Sequence, residues 1–255
     1  MRSALICHAG DRLNEEGVAR WLGGFSELRV VVRITEPRSR LLRRLRREVQ
    51  RSGVIRLFDI LAFRILHTLR FQKAFQEWTD ATLAQISREY PPVAAYRVVE
   101  CASVNEPHVA EALRDEAVEF ALARCKQIIS KRVYHVPPKG VYVLHPGICP
   151  EYRNAHGCFW AMAEGDFSNV GTSLLRIDDG VDTGPVYAYF RTQFDMRRES
   201  PLVIQERTLF DNLPEVARVL SDVLDGKVGP QDTSGRESRA WGQPWLSAWL
   251  RFFRS

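Results

Sequence analysis

The sequence predicts an α/β protein: a mixed, mainly parallel β-sheet with helices on both faces. Short apolar, β-branched runs alternate with helix-period segments through the first half of the chain, the pattern of a parallel sheet. The strand Val141–His145 is followed by a Pro/Gly-rich loop and a helix rather than by a hairpin. Val186–Phe194 follows Gly171–Ile177 after a turn too short for a crossover, so that pair is antiparallel.

Ser3–Cys7 reads as the first strand, with His8-Ala9-Gly10-Asp11 as the turn after it. Asn14–Leu22 is a helix; Glu15 and Glu16 suit its dipole and Gly23-Gly24 ends it. Leu28–Ile34 is the second strand. From Arg38 to about Trp78 the period is helical. One stripe runs Leu41, Leu42, Leu45, Val49; a second, after the break at Ser52-Gly53, runs Leu57, Ile60, Leu61, Ile65, Leu69. Tyr96–Cys101 is a strand. A helix opens with Asn105 as N-cap and Pro107 in its first turn. Phe120–Ala123 is a strand and Lys126–Val133 a short helical segment. Ser200–Leu224 is a long helix, capped by Ser200, opened by Pro201, kinked or divided by Pro214 and stopped by Gly226. The division expected is a catalytic domain over 1–228, with an Arg-rich helical insertion at about 38–80, and a C-terminal tail over 229–255 lying irregularly on the surface.

The 255 residues carry 36 basic and 31 acidic side chains, a net charge of +5, and seven arginines fall between Arg38 and Arg51. A local excess of that kind fits an anionic substrate or a phosphate. No aromatic residues interleave with the arginines as in single-strand binders, so nucleic acid is not expected. The five cysteines are scattered and form no C-x-x-C pair, which points to reduced thiols in a cytoplasmic setting. No secretory leader is evident at Met1, and no run of 18 apolar residues exists, so no membrane span is expected.

Two residues stand out chemically. His145 ends an apolar strand at His-Pro-Gly, which leaves an imidazole at the sheet edge with an ordinary pKa of about 6.5, suited to proton transfer. It also reads as a strand-end histidine bonded to a backbone carbonyl. Asp182 lies in Asp178-Asp179-Gly180-Val181-Asp182-Thr183-Gly184-Pro185, which reads equally as a turn. His156 and Cys158 fall at the start of the next helix, where packing is the simpler role for the cysteine.

Together these elements resemble the folate-dependent formyltransferase family. His145-Pro146-Gly147-Ile148-Cys149-Pro150-Glu151-Tyr152-Arg153 is similar to its histidine loop. Gly165-Asp166, Gly171-Thr172-Ser173 and Asp182-Thr183-Gly184-Pro185 follow in the family's order. The resemblance implies a Rossmann-type formyltransferase fold and transfer of a formyl group from 10-formyltetrahydrofolate to an amine. It implies His145 as general acid/base, Asp182 as its partner and His156 as a second histidine near the site. The pterin would lie on Lys126, Gln127 and Ile128 of one loop and Asp179, Gly180 and Val181 of another. Neither metal nor redox cofactor is implied. One departure is plain: Val143 stands where the family has the asparagine that holds the formyl oxygen. Loss of such a donor typically costs about 10²–10³ in rate. Asn154, polar where the family has glycine, is the expected replacement; formyl hydrolysis and a silent folate-binding protein are the other readings. The expected acceptor is a small, anionic amine, with Arg43, Arg44, Arg46 and Arg47 as its clamp or as a solvated basic face; an amphipathic helix on a membrane surface is the third reading of this insertion.

Overall fold

The computed structural model describes residues 1–252; the side chains of residues 38–49, 51, 52 and 252 lie outside that description, and with them the expected arginine clamp. The strands are β1 (Arg2–His8), β2 (Glu27–Ile34), β3 (Arg97–Cys101), β4 (Phe120–Arg124), β5 (Val141–His145), β6 (Arg153–Asn154), β7 (Thr172–Arg176), β8 (Val186–Phe190) and β9 (Ala240–Trp241). Seven form one sheet in the order β3-β2-β1-β4-β5-β7-β8. β1 to β5 run parallel, and β7 and β8 are antiparallel additions at the edge. Both faces are apolar at a period of two: Leu5, Val31 and Leu122 face one core, while Ala4, Ile6, Val30, Val32, Ala121 and Ala123 face the other.

A π-helical turn over Leu13–Val18 leads into α1 (Ala19–Gly23). The remaining helices are α2 (Arg38–Glu89), α3 (Pro107–Asp115), α4 (Lys131–Tyr134), α5 (Gly157–Ala163), α6 (Pro201–Phe210), α7 (Leu213–Leu224) and α8 (Leu246–Phe252). Ser200 caps α6 as its sequence predicts, its Oγ accepting from the Val203 N–H at 3.1 Å. Pro214, in the first turn of α7, marks the division of the expected long helix. No described helix is long and apolar enough to cross a membrane.

Four local expectations need correction. Glu106, not Asn105, occupies the N-cap of α3. Asn105 instead ties that turn to the loop after β4, donating to Ile128 O and accepting from Ser130 N. The helix expected from Lys126 begins only at Lys131. Gln127 is held by Val104 N, Ala102 O and Glu36, which ties this segment to the loop after β3 instead of into a helix. The second stripe of α2 does not bury as one face: Ile60 is buried and Leu57 half-buried, while Leu61, Ile65 and Leu69 are exposed. Finally, the tail is ordered. β9 pairs with β6, and Trp241, Ala248 and Trp249 are buried against Phe159 and Trp160 of α5.

Candidate functional site

The strand order reverses between β1 and β4, and in open α/β sheets ligands bind beyond the carboxyl ends at such a point. His145, the last residue of β5, lies one strand from it. It is 3% exposed. Its Nε2 is 2.9 Å from Tyr152 O and its Nδ1 is 3.4 Å from Asp182 Oδ2. Both sequence readings therefore hold: His145 is bonded to a backbone carbonyl and it meets the aspartate. Each ring nitrogen therefore faces an oxygen, one on the backbone and one on a carboxylate. The same Asp182 oxygen accepts from the Asn154 N–H at 2.9 Å.

Close backbone packing builds this geometry. A Cβ on Gly157 would lie 2.5 Å from Gly147 Cα and 2.6 Å from Tyr152 O. A Cβ on Gly184 would lie 1.8 Å from Arg176 O, so the Asp-Thr-Gly-Pro turn requires glycine there. Ser173 of β7 holds the loop from beneath, donating to Gly147 O at 2.6 Å and accepting from Cys149 N at 3.0 Å. Asn154, His156 and Asp182 all have left-handed backbone, at φ 77°, 54° and 51°. Three such non-glycine residues in one site are a strained cluster of the kind found where function dictates geometry.

The tail straps the loop down. Arg236 makes a bidentate pair with Glu151, at 2.8 and 2.7 Å. Trp241 Nε1 donates to Glu151 O, Arg153 N to Arg239 O, and Arg239 N to Pro150 O. The Asn154 amide donates to Trp241 O, a different partner from the one expected of it. Sequence reasoning missed this strap; the only signal was the density of Arg and Trp after Gly229.

His156, at the N-cap of α5, lines a cavity of about 280 Å³ with Phe63, Arg64, His67, Phe159 and Gln243. Burial, followed by the charges of Lys126, Arg64 and His67, holds its imidazole down to about 4. It is neutral at pH 7. Burial also pushes the Cys149 and Cys158 thiols up, so neither is a nucleophile.

The two loops expected to bind a pterin are linked through α4. Tyr134 donates to Asp179 Oδ1 at 2.5 Å, and Lys131 pairs with Asp179 Oδ2 at 2.7 Å. Ile128 is 69% exposed and Val181 is also exposed, so each loop offers an apolar side chain to a flat ring. Gly180 N is turned to Asp178, and Lys126 N donates to His8 Nε2. Val143 packs against Cys149, Leu175 and Val186, apolar surroundings that suit valine. A second cavity, of about 390 Å³, lies after β1 and is lined by Gly10, Asp11, Arg12, Thr79 and Glu206. Glu206 is paired at 2.6 Å with Arg124, the last residue of β4. The sequence gave no sign of this crevice, because Thr79 and Glu206 come from α2 and α6.

A family model described as "Formyl transferase" matches residues 73–216. Methionyl-tRNA formyltransferase of Thermus thermophilus is 39% identical over 108 residues, 40% of this chain and 35% of that protein. The enzyme of the same name from Sorangium cellulosum is 36% identical over 126 residues, 48% of this chain and 38% of that protein. The matches thus span little more than a third of these relatives' length. Among solved structures, phosphoribosylglycinamide formyltransferase from Anaplasma phagocytophilum superposes with a TM-score of 0.56 at 13% identity, over 94% of this chain and 97% of that one. A sugar N-formyltransferase from Shewanella sp FDAARGOS_354 gives 0.56 at 11% identity, over 95% and 77%. These two likenesses show the shared fold.

Proposed function

The chain belongs to the formyl transferase family, and from that premise we propose that it moves a formyl group from 10-formyltetrahydrofolate to an amine of a small, anionic acceptor. The observation that carries the reading is the His145–Asp182 contact at the carboxyl end of β5. When bound, the folate supplies the activated formyl group. Ile128 and Val181 would flank its flat ring, and backbone between Lys126 and Ile128 and between Asp179 and Val181 would meet its polar edge. This fits two loops that present apolar side chains and are held together through Tyr134 and Lys131.

The acceptor enters through the crevice after β1. Asp11 suits an amine there, and Lys126 on the neighbouring loop suits an anionic group. An amine that attacks a carbonyl must lose a proton. The His145–Asp182 pair takes it, His145 as the general acid/base and Asp182 as the carboxylate that orients the ring and compensates its charge. Asn154 acts through its backbone N–H, which holds the Asp182 carboxylate in place. Its amide and the neutral His156 are the two side chains offered as donors to the formyl oxygen in place of the family asparagine. The cysteines are free thiols, as suits a cytoplasmic enzyme.

The test is to mix the purified chain with 10-formyltetrahydrofolate and a panel of amines, and to follow tetrahydrofolate. Release that requires an amine supports the transferase. Release without any amine would make it a hydrolase, and binding without release a silent folate-binding protein.

A further inference from the structure

Beyond its kink at Gly53, α2 carries an apolar face that is exposed among the described residues. Val54, Ile55, Phe58, Leu61, Ile65 and Leu69 are exposed, Ile55 at 88% and Leu69 at 82%. At 3.6 residues per turn they fall within about 120° of arc, so they form one continuous stripe. The opposite face, with Ile60 and Phe63, packs onto the protein. A stripe of this length on a folded surface marks an interaction site.

Charge indicates what covers it. Between Arg38 and Lys73 the sequence has ten arginines and one lysine against Glu48 and Asp59, a net +9 in a chain whose total is +5. The described acid, Asp59, is turned to Ser247 in the tail and accepts from its N–H at 2.9 Å. Within Val54–Lys73 itself Arg56, Arg64, Arg70 and Lys73 stand against the single acid Asp59, and like charge opposes the docking of two copies. An apolar stripe on a strongly basic helix is instead the pattern of a segment that lies in the headgroup boundary of a bilayer, held by buried side chains and by anionic lipid.

We propose that α2 from Val54 to Leu69 docks the protein on an anionic phospholipid surface. The site at His145 then works beside a membrane without any segment crossing it. Docking is independent of formyl transfer, so neither reading falls with the other.

Co-sedimentation with lipid vesicles tests it, using the intact purified chain and no folate. The chain is expected to pellet with phosphatidylcholine vesicles containing phosphatidylglycerol, less so as salt is raised, and to stay in solution with phosphatidylcholine alone. Ile55→Ser combined with Leu69→Ser should lower partitioning at least about tenfold, the factor that one buried aliphatic side chain commonly contributes. Both positions are exposed, so thermal melting should not change, and a matched melt confirms that the variant is folded. Three results would overturn the proposal. The first is no binding to the anionic vesicles at low salt. The second is binding that the double variant leaves intact. The third is a lipid-free dimer in sedimentation velocity that the double variant dissolves.

Discussion

Replacing Gly157 with alanine should disturb the His145–Asp182 contact without touching either member. The new Cβ would sit 2.5 Å from Gly147 Cα, 2.6 Å from Tyr152 O and 2.9 Å from Pro146 O, all backbone atoms that no rotamer change can move. Ordinary contact begins near 3.4 Å, so loop and helix must part by about 0.9 Å. Overpacking of this kind typically costs about 1–3 kcal/mol. For a chain of this size each kcal/mol lowers Tm by about 2–4 °C. Tyr152 O is also the acceptor for His145 Nε2, so the imidazole moves with the loop. A misplacement of about 1 Å at a reacting group costs on the order of 10²-fold. Urea melts and steady-state tetrahydrofolate formation read the two effects separately. Gly229→Ala is the control: nothing lies within 4 Å of its Cβ, and its effect should stay within about 0.5 kcal/mol. If Gly157→Ala melts and turns over like the parent, the tight contact does not exist. Lost stability with full turnover would show that the contact does not govern His145.

Other outcomes follow from the same geometry. Asp182→Asn keeps the shape but removes the charge facing His145, and kcat should fall by about 10²–10⁴ while the urea midpoint changes little. Ser200→Ala removes the acceptor for Val203 N and should cost about 1 kcal/mol in urea melts, with no effect on kcat. His156 is neutral in the fold down to about 4, whereas the unfolded chain takes up its proton near 6.5. Stability therefore falls as pH drops from 6.5 towards 4, by at most about 3 kcal/mol from this group. His156→Asn should show a shallower loss than the parent when urea midpoints at pH 7 and pH 4.5 are compared.

The fold was legible where local chemistry and tertiary packing agree. Val141–His145 is a strand with the stated bounds, because apolar residues fill it and Pro146-Gly147 stop it. The same agreement gave the Ser200 cap and the break near Pro214. Reading failed where a distant partner outbid a local preference. Asn105 is a good N-cap by type, but its amide has two partners on the loop after β4. The stripe of α2 was legible as a helical period but not as exposed, since periodicity identifies a face but not what lies against it. At the site, His145 and Asp182 were visible as residue types in a familiar order. Their dependence on the Gly147–Gly157 contact, on left-handed backbone at three residues and on the tail has no short-range signature.

The tail's grip on the histidine loop bears on how the site comes to exist at all. Its bonds to Glu151 and Asn154 join positions 85 to 90 residues apart. Each closes a long loop of chain, whose entropy must be overcome before it forms. Until then the segment after Pro146 lacks the anchors that set Tyr152 and Asn154. The seven-stranded sheet does not depend on these bonds, whereas the loop that carries Tyr152 O, the partner of His145, does. The shape of the histidine loop is in this sense set from outside it, by a short run of Arg and Trp that closes over it.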